Sequence, residues 1–234
     1  DYDRVVSGFK IMLWGFVKKI LIADRLAIYV DAVFNNVHQH SGITMLFATF
    51  FFGIQIYCDF SGYSDIAIGA AKVMGYKLMT NFRRPMFISQ TIQEFWQRWH
   101  ISLTTWFRDY LYYPLGGNKK GKLMQMRNML IVFSISGLWH GANWTFVIWG
   151  LANGTLLALE QIYLPYLNNF FKLFGPLKKY VRILYTSLFT LFPTVFFRVR
   201  TVDDGFYMLK SIFTFKPGGL FKGEPPTAFG YAIF

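Results

Sequence analysis

Hydrophobic positions along the chain come in long runs separated by short basic or polar breaks. The run from Ile43 to Cys58 is uncharged and rich in Phe, and with its flanks it is long enough to cross a bilayer. It gives way to Asp59-Phe60-Ser61-Gly62-Tyr63-Ser64-Asp65 and then to Ile66–Ala71, where Gly62, Ala67, Gly69, Ala70 and Ala71 permit close helix packing. Two carboxylates six apart read either as an interfacial turn whose Asp caps the next helix or as the polar wall of a cavity. The longest charge-free run lies between Arg127 and Glu160, about 32 residues. As one helix it would extend roughly 48 Å, well beyond a hydrocarbon core of about 30 Å. Gly137, Gly141 and Asn143 offer a bend, so the pattern predicts two helical pieces meeting near His140. Broken backbone at that depth must be buried in protein or line a cavity.

The other segments are less apolar. Val5 to Val30 carries Lys10, Lys18, Lys19 and Arg25 at intervals, a pattern suited to lying at the interface with the basic face on headgroups. Asn35 to Gly42 reads as a polar loop with solvated His38 and His40. Asn81 to Pro85 reads as a basic turn. Thr91 with Glu94 makes a capping box. After it Ile92, Phe95, Trp96, Trp99, Leu103, Trp106, Phe107 and Tyr110 form one apolar stripe at helical spacing. That predicts a single amphipathic helix with His100 at the edge of the stripe, ended by Pro114 and the Gly116-Gly117-Asn118 turn. Tyr163 to Phe174, with Pro165 and Pro176 nearby, reads as a re-entrant or interfacial connection. Ile183 to Phe197 is a short apolar run interrupted by Pro193, and the tail after Thr201 is Gly- and Pro-rich.

Composition sharpens the choice of solvent. Hydrophobic residues make up 54% and charged residues 15% of the 234, against about 25% charged in soluble domains. The formal charge of +12 raises nucleic acid as a partner. The basic residues, however, bracket apolar runs, as a multi-span protein presents Lys and Arg to the cytoplasm and to anionic headgroups. The partner implied is therefore a lipid bilayer and not a nucleic acid. By the same rule the basic loop Lys119 to Arg127 belongs on the cytoplasmic side. Cys58 is the one cysteine and reads as a small buried apolar residue, with no Cys/His metal spacing. The chain opens on Asp1 without an initiator Met, which reads as a piece of a longer protein.

The candidate chemistry rests on His140 and His100. His140 is the one side chain in its run that titrates near neutral pH, and an ionisable group at membrane depth is a functional candidate. No GxSxG elbow, Gly-rich phosphate loop or nucleophilic Cys accompanies either histidine. General-base chemistry on a hydroxyl, a bis-His haem site, a proton relay, and a purely structural role all stay open on the residues alone.

Three blocks carry a resemblance: Tyr57 to Gly69, Phe95 to Gly117, and Gly137-Leu-Trp-His-Gly-Ala-Asn-Trp144. In this order they resemble the membrane-bound O-acyltransferase family, and within it the alginate O-acetyltransferase branch. The teichoic acid D-alanyl transferase branch is similar but usually lacks the Pro-Leu-Gly-Gly-Asn turn. The likeness runs from about Gly8 to Arg200, in a family whose members are roughly twice this length. It implies an all-α, multi-span integral membrane protein, here a fragment forming a single membrane domain over residues 1–234. Interfacial amphipathic helices and a central tunnel complete that expected fold. The catalytic histidine of the family maps to His140 and its second histidine to His100.

The resemblance further implies an acyl group, acetyl from a cytoplasmic thioester donor such as acetyl-CoA, moved across a bacterial inner membrane toward a cell-surface polysaccharide. A separate periplasmic acetyltransferase commonly completes the transfer. No bound cofactor and no metal is expected. Asp59, Tyr63, Arg98, Trp99, Trp139 and Asn143 are the substrate-binding candidates, with Arg98 suited to donor phosphates. One departure is visible: where a histidine is expected in the helix after the Trp-His-Gly block, this chain has Asn153, which puts a relay through that position in doubt.

Overall fold

A computed structural model describes residues 1–83 and 86–218. Arg84 and Pro85 of the expected basic turn, and the Gly- and Pro-rich tail beyond residue 218, lie outside them. Helices dominate, and no strand occurs among the described residues. The chain divides into two compact units, Asp1–Asn81 with Asp203 onward, and Phe82–Val202. Three segments are long and apolar enough to cross a membrane: Gly42–Val73, Trp144–Lys172 and Gly175–Arg198.

In the first unit, α1 (Tyr2–Phe16) passes through a π-helical turn at Val17–Ala23 into α2 (Asp24–Phe34). The 32-residue α3 (Gly42–Val73) packs along it. Small residues set the spacing: a Cβ on Gly15 would lie 2.6 Å from the Gly62 carbonyl oxygen, and one on Gly62 2.7 Å from that of Gly15. Only glycine at both positions lets the backbones approach so closely.

The contact corrects two expectations. The basic residues of the first segment do not all face outward. Lys18, 8% exposed, donates to Ser61 Oγ at 3.0 Å and pairs with Asp65 at 2.7 Å, while Lys19 pairs with Asp59 at 2.6 Å and Asp24 at 2.9 Å. Nor is there a turn at Asp59, because α3 runs unbroken through both carboxylates. A buried charge needs a partner of opposite sign, and each carboxylate supplies one to a lysine a helix away.

His40 also departs from the solvated-loop reading. It is buried beside the Ser41 N-cap of α3, whereas His38 is exposed and pairs with Asp204. Asp204 lies on α10 (Val202–Phe213), a helix formed by the first part of the segment read as a Gly- and Pro-rich tail. Gly42 fits tightly against α10, since a Cβ there would meet the Ser211 carbonyl oxygen at 2.1 Å. Cys58 is buried, as its composition suggested.

In the second unit the expected amphipathic helix is two helices, α4 (Ile92–Arg98) and α5 (Ile101–Phe107), followed by a π-helical turn at Arg108–Tyr112. The long charge-free run forms α6 (Lys122–His140) and α7 (Trp144–Lys172), broken at Gly141 as expected. The expected connection at Tyr163 is instead the continuation of α7, with Pro165 inside the helix. A proline removes one backbone bond, a loss that apolar helices tolerate where neighbours re-satisfy the freed carbonyl. The short run interrupted at Pro193 becomes α8 (Lys178–Leu191) and α9 (Thr194–Arg198), together part of the third apolar segment.

Candidate active site

Glycines again decide the geometry. On α7, a Cβ on Gly150 would sit 2.2 Å from the Phe133 carbonyl oxygen of α6, and one on Gly137 2.3 Å from that of Phe146. This close packing carries His140, the last residue of α6, against the first turns of α7. Asn143 caps α7: its side-chain oxygen accepts from Thr145 N at 3.1 Å, and its amide donates to the Arg200 carbonyl at 3.4 Å.

His140 sits in an aromatic cage. Ring centroids of Trp139 and Phe197 lie 5.0 Å away and that of Trp149 5.2 Å, all edge-on, with Phe146 at 6.4 Å. Phe197 comes from α9 and itself touches Phe146 and Trp149. Neither ring nitrogen of His140 has a protein hydrogen-bond partner among the described residues. A histidine held by ring edges, with its nitrogens free, is placed to accept a proton from an incoming group.

His100 is the second feature. Trp99 is extended and His100 takes φ 43°, ψ 57° before α5 begins. A left-handed conformation costs a non-glycine residue roughly 1–2 kcal/mol, and such outliers cluster at functional sites. The break explains why helical phase misplaces this residue: it does not lie on the edge of a continuous stripe but at the joint between two short helices. Burial pushes the His100 imidazole down to about 4, and the charge of nearby His140 adds to the effect. It is therefore neutral at pH 7.

The other expected site residues divide. Arg98 pairs with Glu94 one turn back, and its second terminal nitrogen, Nη1, is buried without a hydrogen-bond partner among the described residues. Trp99 stacks on Phe95 at 6.0 Å and meets Phe82 edge-on at 5.0 Å. Trp139 touches His140, and Asn143 begins α7, so these belong to the same unit as the two histidines. Asp59 and Tyr63 belong to the first unit, where Asp59 holds Lys19 and Tyr63 is exposed. Asn153 is buried, its amide on the Trp149 carbonyl at 2.8 Å, bracing the turn that carries Trp149. Among the described residues no three of His, Cys, Asp and Glu are grouped to hold a metal ion.

Sequence reasoning did not single out Glu160 as a functional residue. On α7 it is 3% exposed, and its two oxygens accept from Ile92 N at 2.8 Å and Gln93 N at 3.0 Å. Its position as the charge that ends a long apolar run was the available signal.

Long apolar helices, three of them long and apolar enough to cross a membrane, define a helical, multi-pass membrane protein, with His140 and His100 as its candidate site. The chain belongs to the membrane-bound O-acyltransferase family, whose model matches residues 3–199. Over 213 residues it is 43% identical to a probable alginate O-acetylase, AlgI, of Pseudomonas fluorescens, covering 91% of this chain and 41% of that protein. It is 37% identical over 212 residues to a peptidoglycan O-acetyltransferase of Helicobacter pylori (91% and 40%). A teichoic acid D-alanyltransferase of Bacillus subtilis is 29% identical over 222 residues (92% and 52%). The chain thus spans about two fifths to one half of the length of these relatives.

Proposed function

We propose that this chain is the catalytic core of a membrane O-acyltransferase. It moves an acetyl group from a cytoplasmic thioester, acetyl-CoA in class, toward hydroxyls of a cell-surface polysaccharide, with the protein in a bacterial inner membrane. A periplasmic acetyltransferase is the proposed partner that completes delivery. The observation that carries the reading is the caged His140, whose nitrogens have no hydrogen-bond partner among the described residues, in a chain whose relatives are named for O-acetylation of alginate and of peptidoglycan.

In the reaction, a His140 nitrogen takes the acceptor hydroxyl proton as that oxygen attacks the thioester carbonyl. The tetrahedral intermediate collapses with loss of the C–S bond, and the imidazolium returns the proton to the leaving thiolate. General-base assistance of this kind is worth about 10²–10⁴-fold. His100, neutral and rigidly placed, is suited to orient the donor or the acceptor, and the free Nη1 of Arg98 to meet an anionic or carbonyl oxygen of the donor.

The test compares His140→Gln with His140→Ala in the full-length protein with its partners. Gln keeps size and a hydrogen bond but has no basic nitrogen, so acetylation should fall almost as far as with Ala. Both variants should still elute as folded protein on gel filtration. A His140→Gln protein that retains most of the acetylation refutes the general-base role.

A further inference from the structure

We infer that Glu160 is a positioning residue for the catalytic histidine pair: it anchors the start of α4, and through that helix sets where His100 stands relative to His140. The inference rests on the transferase reading above.

The start of α4 has every early N–H satisfied. Thr91 Oγ1 accepts from Glu94 N at 3.0 Å, and Glu94 Oε2 reaches back to Gln90 N at 2.6 Å. Those bonds are local. The two remaining amides, Ile92 N and Gln93 N, are taken by the two oxygens of Glu160, 68 and 67 residues further along the chain. Beside them Gln161 donates to the Gln93 side-chain oxygen at 3.0 Å, and Arg182 of α8 donates to the Gln90 carbonyl at 3.3 Å. A seven-residue helix is too short to be stable alone, so its position is decided by what it docks on.

The same helix is held a second time on α7. Trp96 contacts Trp149 with centroids 6.0 Å apart, and Trp149 contacts His140 at 5.2 Å. One straight helix therefore carries both clamps, eleven residues or about 16 Å apart at 1.5 Å per residue. Trp149 fixes the middle of α4 beside the His140 cage, and Glu160 fixes its beginning. The far end of α4 runs into Trp99 and the left-handed His100. That strain persists only if the flanking helices are held, so a slack α4 would let His100 relax away from its working position. A misplacement of about 1 Å near a reacting centre can cost on the order of 10²-fold in rate.

The helix-start amides need two acceptors. Glu160→Gln retains one carbonyl oxygen and the side-chain volume, and loses the second acceptor. Glu160→Ala loses both. In membranes carrying the full-length protein and its partners, supplied with radiolabelled acetyl-CoA, the maximal rate of acetyl transfer to polysaccharide should fall at least tenfold in Glu160→Gln. The half-saturating acetyl-CoA concentration should stay within about twofold of wild type, and the folded yield near wild type. Glu160→Asp, which keeps both oxygens on a shorter stem, should recover part of the rate. His140→Gln is assayed alongside. If His140→Gln stays active, the transferase reading itself fails. If His140→Gln is inactive while Glu160→Gln runs at the wild-type rate, only the positioning role is overturned. Failure of Glu160→Gln to accumulate as folded protein also overturns it, because Glu160 would then serve the fold as a whole.

Discussion

The approach of α6 to α7 can be challenged with one methyl group. In Gly150→Ala the new Cβ would stand 2.2 Å from the Phe133 carbonyl oxygen, where real contacts of this type do not fall below 3.0 Å. The obstacle is backbone, so no rotamer relieves it, and the two helices must separate locally by about 0.8 Å. Overpacking of this kind costs about 1–3 kcal/mol. The larger effect should be on rate, because Trp149, adjacent to the substituted residue, is a wall of the His140 cage. A displacement near 1 Å there implies a loss on the order of 10²-fold. Gly154→Ala is the milder comparison: its Cβ would meet Phe133 Cβ, an atom that moves with the backbone, at 2.9 Å, so the helices must give less than at Gly150. Thermal unfolding of the full-length protein in detergent and acetyl transfer in membranes would be measured for both. A Gly150→Ala protein with wild-type rate and melting temperature, or one less affected than Gly154→Ala, would refute the close-packing argument.

Two further outcomes are expected, beyond the His140 and Glu160 comparisons. Lys18→Met strands Asp65 and should destabilise by about 2–4 kcal/mol, somewhat less than a fully buried pair because Asp65 keeps 29% of its side chain exposed. Lys18→Met with Asp65→Asn should recover most of the loss, and a double-mutant loss equal to the sum of the two single losses would exclude the coupling. For His100, a folded value near 4 against about 6.5 unfolded means that the unfolded chain binds the extra proton between those pH values. Stability should therefore be whole above about pH 6.5 and decline as pH falls toward 4, and His100→Gln should flatten that part of the curve. Identical pH profiles for the two proteins would show that His100 is not held neutral.

Much of the helical architecture was legible along the chain. Apolar runs and their polar breaks report local cost directly: which stretches water rejects, and where Gly141 and Asn143 interrupt the longest of them. The Thr91–Glu94 capping box was equally readable, because its bonds stay within one turn. His140 stood out for the same reason, as a titratable group in a charge-free run.

What the pattern could not decide was which distant groups meet. Lys18 read as a headgroup-facing cation because its solvent was unknown; close packing at Gly15 and Gly62 turned it toward Asp65. Asp59 and Asp65 read as a possible turn because a lone carboxylate is costly in an apolar helix, and a lysine on another helix removed that cost. His100 was placed by a 3.6-residue period, but docking of α4 broke the helix at that residue and left it left-handed. Glu160 looked like the end of a run until its oxygens met amides 67 and 68 residues earlier in the chain. Periodicity records how each residue prefers its surroundings, one at a time. Pairings between residues far apart in sequence depend on helix approach to within an ångström, and that distance exists only once the helices have packed.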